Sequence, residues 1–132
     1  MIGAPTLMLI DDDEDDIKLF IESAKEVDPL IKCIGITDAV DGLEYLKSEL
    51  NAVPDYIFLD LRMPKINGLK CLEEIRKIDR ATSIPVFIYS TSKDEGDIKT
   101  LVESGAVLFI TKPTNPKEIY YLISNIIGEK WN

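Results

Sequence analysis

Five short apolar runs recur along the chain, at residues 7–10, 31–36, 56–59, 85–89 and 107–110, and each gives way to polar or turn residues. Several are continuous in Val, Ile, Leu and Phe instead of alternating, the pattern of parallel strands covered on both faces. The segments between them repeat their apolar residues every three or four positions, as helices with one buried stripe do. Ile17, Phe20, Ile21 and Ala24 form the first stripe, Leu43, Leu46 and Leu50 the second, and Leu69, Leu72, Ile75 and Ile78 the third. Ile98, Leu101 and Val102 give a shorter fourth, and Ile119, Leu122, Ile123, Ile126 and Ile127 a strong fifth that starts near Asn115 and runs to about Glu129. Strand and helix alternate five times, so the fold class is α/β.

Right-handed crossovers turn this (βα)5 pattern into a doubly wound, all-parallel five-stranded sheet, and the flavodoxin-like strand order 2-1-3-4-5 is the leading arrangement. At 132 residues the chain is the size of one ordinary domain. The expectation is a single domain over residues 1–132 with no output domain, since the last stripe lies close to Asn132. No apolar run approaches the roughly 20 residues of a membrane span, and Met1 to Thr6 carry no signal pattern. A cytoplasmic location is therefore expected. The net charge of −9 opposes direct binding to nucleic acid or anionic lipid. With no histidine and only Cys33 and Cys71, zinc chemistry and histidine-dependent triads are disfavoured, and chemistry must run on carboxylates, hydroxyls and lysines.

In an open α/β sheet, ligands bind beyond the carboxyl ends of the strands, near the point where strand order reverses. The residues there are Asp11, Asp12 and Asp13 after the first strand, Asp60 after the third, Ser90 after the fourth, and Thr111, Lys112 and Pro113 after the fifth. Thr91 and Ser92 are alternatives to Ser90 if the fourth strand ends one or two residues later. Asp11, Asp12 and Asp60 around Lys112 leave a net charge of about −2, costly in a partly desolvated crevice. One Mg2+ or Mn2+ would balance it, since such hard cations take carboxylate and phosphate oxygens. A carboxylate is also a competent nucleophile toward phosphorus. Of the six consecutive acids 11–16, Asp13 reads as a helix N-cap, with Glu14, Asp15 and Asp16 favoured by the helix dipole. Met63, Pro64 and Gly68 read as loop-shaping residues, the glycine permitting positive φ.

Five separated motifs now stand in order: Leu-Ile-Asp-Asp ending at Asp12, Asp-Leu-Arg-Met-Pro from Asp60, Gly68 eight residues beyond Asp60, Ser90, and Thr-Lys-Pro from Thr111. In these the chain resembles the response-regulator receiver domains of two-component signalling over essentially its whole length. The resemblance implies that Asp60 accepts a phosphoryl group from a sensor histidine kinase. It also implies that Asp12 ligates the metal directly and Asp11 through water, with Asp60 and the Arg62 carbonyl completing the protein ligands. Ser90 would bond a phosphoryl oxygen, Lys112 would pair with Asp60 or its phosphate, and Lys112–Pro113 would be cis. Such a domain is a self-catalysing phosphoacceptor and not a turnover enzyme. Its signal would pass to a downstream target protein through the face of helix 4, strand 5 and helix 5, as a monomer or a weak dimer. Two departures stand out. Thr91 is bulkier than the alanine often found after the hydroxyl residue, and Phe109 takes the place of an aromatic switch residue that is commonly tyrosine. The competing readings are a receiver-like binding module that takes no phosphate and an Asp-nucleophile phosphatase. The phosphatase would want a second acid where Arg62 stands.

Overall fold

The computed structural model describes residues 3–91 and 95–128, with the backbone alone at 95–97. Ser92, Glu129 and the first two residues, which entered the sequence expectations, lie outside the described residues. The elements are β1 Thr6–Ile10, α1 Glu14–Val27, β2 Lys32–Ile36, α2 Ala39–Lys47, β3 Tyr56–Leu59, α3 Gly68–Arg76, a 3-10 turn Asp79–Ala81, β4 Val86–Ser90, α4 Glu95–Glu103, β5 Leu108–Thr111 and α5 Pro116–Ile127. All strand pairs are parallel, in the order β2-β1-β3-β4-β5. The expected doubly wound sheet is the observed one.

Side chains of successive strand residues point to opposite faces, and here both faces are covered. Met8, Ile10, Ile57, Leu59, Val86 and Ile88 pack with Leu43 and Leu46 of α2, Leu72 and Ile75 of α3 and Leu101 of α4. Leu7, Leu9, Phe58, Phe87 and Tyr89 pack on the other face with Ile17, Phe20 and Ala24 of α1 and Ile119, Ile123 and Ile126 of α5. The rings of Phe20 and Phe58 meet edge to face at 4.9 Å, which locks α1 onto the central strand. Among the described residues, four helices begin on side-chain caps, Asp13, Asp38, Asn67 and Asn115, each accepting from backbone N–H of the first turn. Those caps fix where each chain segment leaves the crevice at the strand ends.

Three sequence expectations change. Leu50 is 97% exposed, because α2 stops at Lys47 and Ser48 turns the chain into extended geometry. Gly68 does not supply a left-handed backbone; that conformation falls on Lys65, at φ 66°. The glycine is needed for space, since a Cβ there would lie 2.6 Å from the Asp60 carbonyl oxygen and 2.7 Å from Leu61 Cα. The Lys112–Pro113 peptide is trans; trans is the intrinsic preference before proline by about 0.5–1 kcal/mol.

Two arginines hold the opposite end of the sheet. Arg76 donates to the carbonyls of Thr82, Ile84 and Gly105 at 2.8–2.9 Å, and Arg80 to those of Leu46, Ser48 and Asn51. One planar guanidinium can satisfy several loop carbonyls at once, which a lysine cannot match. These loops carry no other periodic signal.

Candidate functional site

The crevice is built from strand ends. Asp11 follows β1, and its backbone N–H donates to the Ile36 carbonyl at 3.0 Å while its Oδ1 accepts from Asp13 N at 2.9 Å. Asp60 follows β3, its N–H donating to the Ile10 carbonyl at 2.9 Å. These bonds seat both acids on adjacent central strands, and both are buried. Asp12 is exposed at the rim. One carboxylate oxygen from each of Asp11, Asp12 and Asp60 lies within 4.8 Å of the others.

Lys112 enters from the end of β5, where its N–H donates to the Ser90 carbonyl at 2.9 Å. Its Nζ lies 2.7 Å from Asp11 Oδ2, 2.8 Å from Asp16 Oδ2 and 3.6 Å from Asp60 Oδ2. The Tyr89 ring sits 5.9 Å away, within reach of a cation–π contact. Burial alone would lower the Lys112 pKa, but the Asp11 and Asp16 carboxylates outweigh it and hold that pKa well above its usual value. Burial also holds the Tyr89 phenol well above its usual range, so the phenol stays neutral.

Asp11 shows the opposite balance. Burial first, and the charge of Asp60 to a smaller degree, push its carboxyl up to about 6 against the pull of Lys112 and the Asp13 amide. Its Oδ2 is buried and accepts no hydrogen bond, because the 2.7 Å approach of Lys112 is an ion pair without hydrogen-bond alignment. A buried anionic oxygen in that state is costly. Three carboxylate oxygens at this spacing match the donor set of a hard divalent cation. The residues present therefore fit Mg2+ or Mn2+.

Ser90 is the last residue of β4 and is 1% exposed; β4 neighbours β3, so Ser90 stands one strand from Asp60. Thr91 is exposed beyond it. Arg62 lies on the loop after β3 and lines a cleft of about 410 Å3 together with Asp12, Met63 and Asn67. Phe109 of β5 pairs in register with Ile88 and is partly buried against the α2–α3–α4 side of the core. The structure thus gathers Asp11, Asp12, Asp60 and Lys112, buries Ser90 at the end of the neighbouring strand, and puts Arg62 in a cleft that Asp12 also lines.

One residue was missed. Asp16 was assigned only to the helix dipole, yet it bonds Lys112. A signal existed: with Asp13 as cap, Asp16 is the third helical residue, and helix side chains tilt toward the N-terminus and so back to the strand end.

The tight approach at Gly68 gives a direct test of how the acceptor is seated. Gly68→Ala is expected to push on the Asp60 backbone and lower stability by about 1–3 kcal/mol, as overpacking does. It should also slow modification of Asp60, as read by urea unfolding and intact mass. A variant with wild-type stability and rate would show that the loop yields freely.

The profile of the response regulator receiver domain matches residues 7–124. A protein-glutamate methylesterase/protein-glutamine glutaminase of Halalkalibacterium halodurans is 33% identical over 111 residues, 83% of this chain and 31% of the relative. The first curated relatives are all longer, and the chain spans between 31% and 45% of their length. The phosphorylated cyanobacterial phytochrome response regulator RcpA is 30% identical with a TM-score of 0.83, covering 94% of this chain and 91% of that one. The Mn2+-bound form of the response regulator Rcp1 is 27% identical with a TM-score of 0.80, covering 92% and 91%.

Proposed function

This chain belongs to the response regulator receiver domain family, and on that premise we propose that it accepts a phosphoryl group on Asp60 and so changes a protein-docking surface. Receiver domains are signalling domains of two-component systems and not turnover enzymes; the methylesterase relative is longer than the matched stretch. What carries the reading is one buried aspartate at a central strand end, with an ammonium 3.6 Å away and two further carboxylates within 4.8 Å.

An Asp60 carboxylate oxygen attacks the phosphorus of a phosphohistidine on a sensor histidine kinase. A P–O bond forms as the P–N bond breaks, and the imidazole leaves with the bonding pair and takes a proton from solvent. Asp11, Asp12 and Asp60, with the Arg62 carbonyl, would hold Mg2+ or Mn2+, which supplies positive charge against the phosphoryl oxygens. Support comes from the clustered carboxylate oxygens of Asp11, Asp12 and Asp60 and from the manganese-bound neighbour. Ser90 is assigned to one phosphoryl oxygen and Lys112 to another.

The new charge biases a two-state equilibrium. The surface it would reach is that of α4, β5 and α5, where Val102, Leu108 and Tyr121 are left exposed. There Ser90 and Phe109 would couple site to surface by packing alone, since phenylalanine has no hydroxyl. The partners are a sensor histidine kinase and a downstream target protein, met in the cytoplasm. Among the described residues, no helix is long and apolar enough to cross a membrane.

Incubation with a small phosphodonor and Mg2+ tests the reading. The expected result is one phosphoryl group per chain, mapped to Asp60 by peptide mass. Chelation with EDTA should lower the rate at least about tenfold, a barrier change of about 1.4 kcal/mol. Label on another residue would move the acceptor, and equal rates with and without EDTA would remove the metal.

A further inference from the structure

Lys112 has more anionic partners than pairing with a phosphoryl group requires. Its contact with Asp16, at 2.8 Å, is an aligned hydrogen bond, whereas Asp60 stands 3.6 Å away. Asp16 differs from the other two acids in kind: its side chain is 36% exposed, against 0% for Asp11 and 7% for Asp60. We propose that Asp16 is a positioning residue that holds Lys112 on the α1 side of the crevice, short of Asp60, and releases it when a phosphoryl group arrives.

The reasoning follows from which partner Lys112 can give up. Asp11 is fully buried and has no solvent to take the place of the ammonium 2.7 Å away, so that pair is the harder one to give up. Asp16 can return to water, and a pair of that exposure is weak. A phosphoryl group brings a charge of about −1.5 to −2. An ammonium with three rotatable donors can exchange one half-exposed carboxylate for it and keep the buried one. Asp16 therefore competes with the phosphoryl group for the lysine, and removing its charge should favour the phosphorylated form.

The inference rests on the phosphoacceptor reading, so the test separates the two. Beryllium trifluoride with Mg2+ is titrated into the wild type, Asp16→Asn, Asp16→Glu and Asp15→Asn, followed by the Lys112 side-chain NMR resonance. Asp15 has the same charge one residue away and makes no ion pair with Lys112 among the described residues. Asp16→Asn is expected to bind about three- to fivefold more tightly than wild type, the scale of a half-exposed ion pair. Asp16→Glu should lie nearer to wild type than Asp16→Asn does, and Asp15→Asn should stay within about twofold of wild type. Without the mimic, the Lys112 resonance should move in Asp16→Asn and not in Asp15→Asn. Equal or weaker binding by Asp16→Asn, or equal tightening by Asp15→Asn, overturns the proposal. A wild type that fails to bind the mimic sinks the phosphoacceptor reading instead. In that event an unmoved Lys112 resonance in Asp16→Asn is the separate result that ends the role given to Asp16.

Discussion

Asp60→Asn is expected to take up no phosphoryl label and, at the same time, to be more stable than the wild type when metal is chelated. The first half follows from chemistry, because an amide oxygen has nothing like the nucleophilicity of a carboxylate. The second follows from the crowding of charge. Burial, with a smaller contribution from the Asp60 charge, pushes Asp11 up to about 6. Lys112, the cation between them, is already held by Asp11 and Asp16. Removing the Asp60 charge relieves that repulsion and gives up only the longer, 3.6 Å approach of Lys112, so the net gain is below about 1 kcal/mol. A carboxyl whose pKa is raised by folding is at its most stabilising below its unfolded value and loses that stability as pH rises through the folded value. The variant should therefore lead the wild type at pH 8 and match it near pH 5, where Asp11 is protonated in both. Urea unfolding in EDTA at the two pH values, beside intact mass after phosphodonor treatment, checks both halves. Full label on the variant, or lower stability at pH 8, would contradict the reading.

Much of this was legible in the sequence because two physical rules act along it without ambiguity. Strands buried on both faces must be apolar at every position, so 56–59 could be read directly, and β4 ran one residue further only because Ser90 is a polar residue buried as deeply as its neighbours. The parallel strands of a doubly wound sheet then have their carboxyl ends on one side, which by itself brings Asp11, Asp60 and Lys112 together. What the sequence hid depends on distance through space. Leu50 continues the spacing of a helical stripe, yet nothing in that spacing says that Ser48 ends the helix. Gly68 announces a special backbone position but not whether conformation or space demands it; here it is the Asp60 carbonyl at 2.6 Å. Arg76 and Arg80 bond carbonyls up to 34 residues away, beyond any local pattern. Asp16 was hidden differently, since its role at the helix dipole was sufficient reason for an acid and masked the second one.

Lys112→Met carries the other large effect, and its size depends on pH in a way that identifies its cause. The substitution keeps the length and apolar stem of the side chain and removes the ammonium that faces Asp11, Asp16 and Asp60. Two of the influences that hold the Asp11 carboxyl down to about 6 are the Lys112 contact and its charge. Without them Asp11 rises further, and protonation acts as a relief valve that limits the penalty. At pH 7 the wild-type Asp11 is mostly ionised, and leaving it neutral instead costs at most about 1.4 kcal/mol for the one pH unit above 6. The lost pairs with Asp16 and Asp60 add roughly another 1 kcal/mol, because Asp16 is partly solvated. The deficit should thus be about 2 kcal/mol at pH 7 in EDTA. It should shrink near pH 5 and grow by up to about 1.4 kcal/mol per unit toward pH 8, the slope of one extra proton held by the folded variant. Saturating Mg2+ should restore part of the loss by binding Asp11, Asp12 and Asp60 in the folded state alone. A deficit independent of pH would mean that the ionisation of Asp11 does not depend on the Lys112 charge.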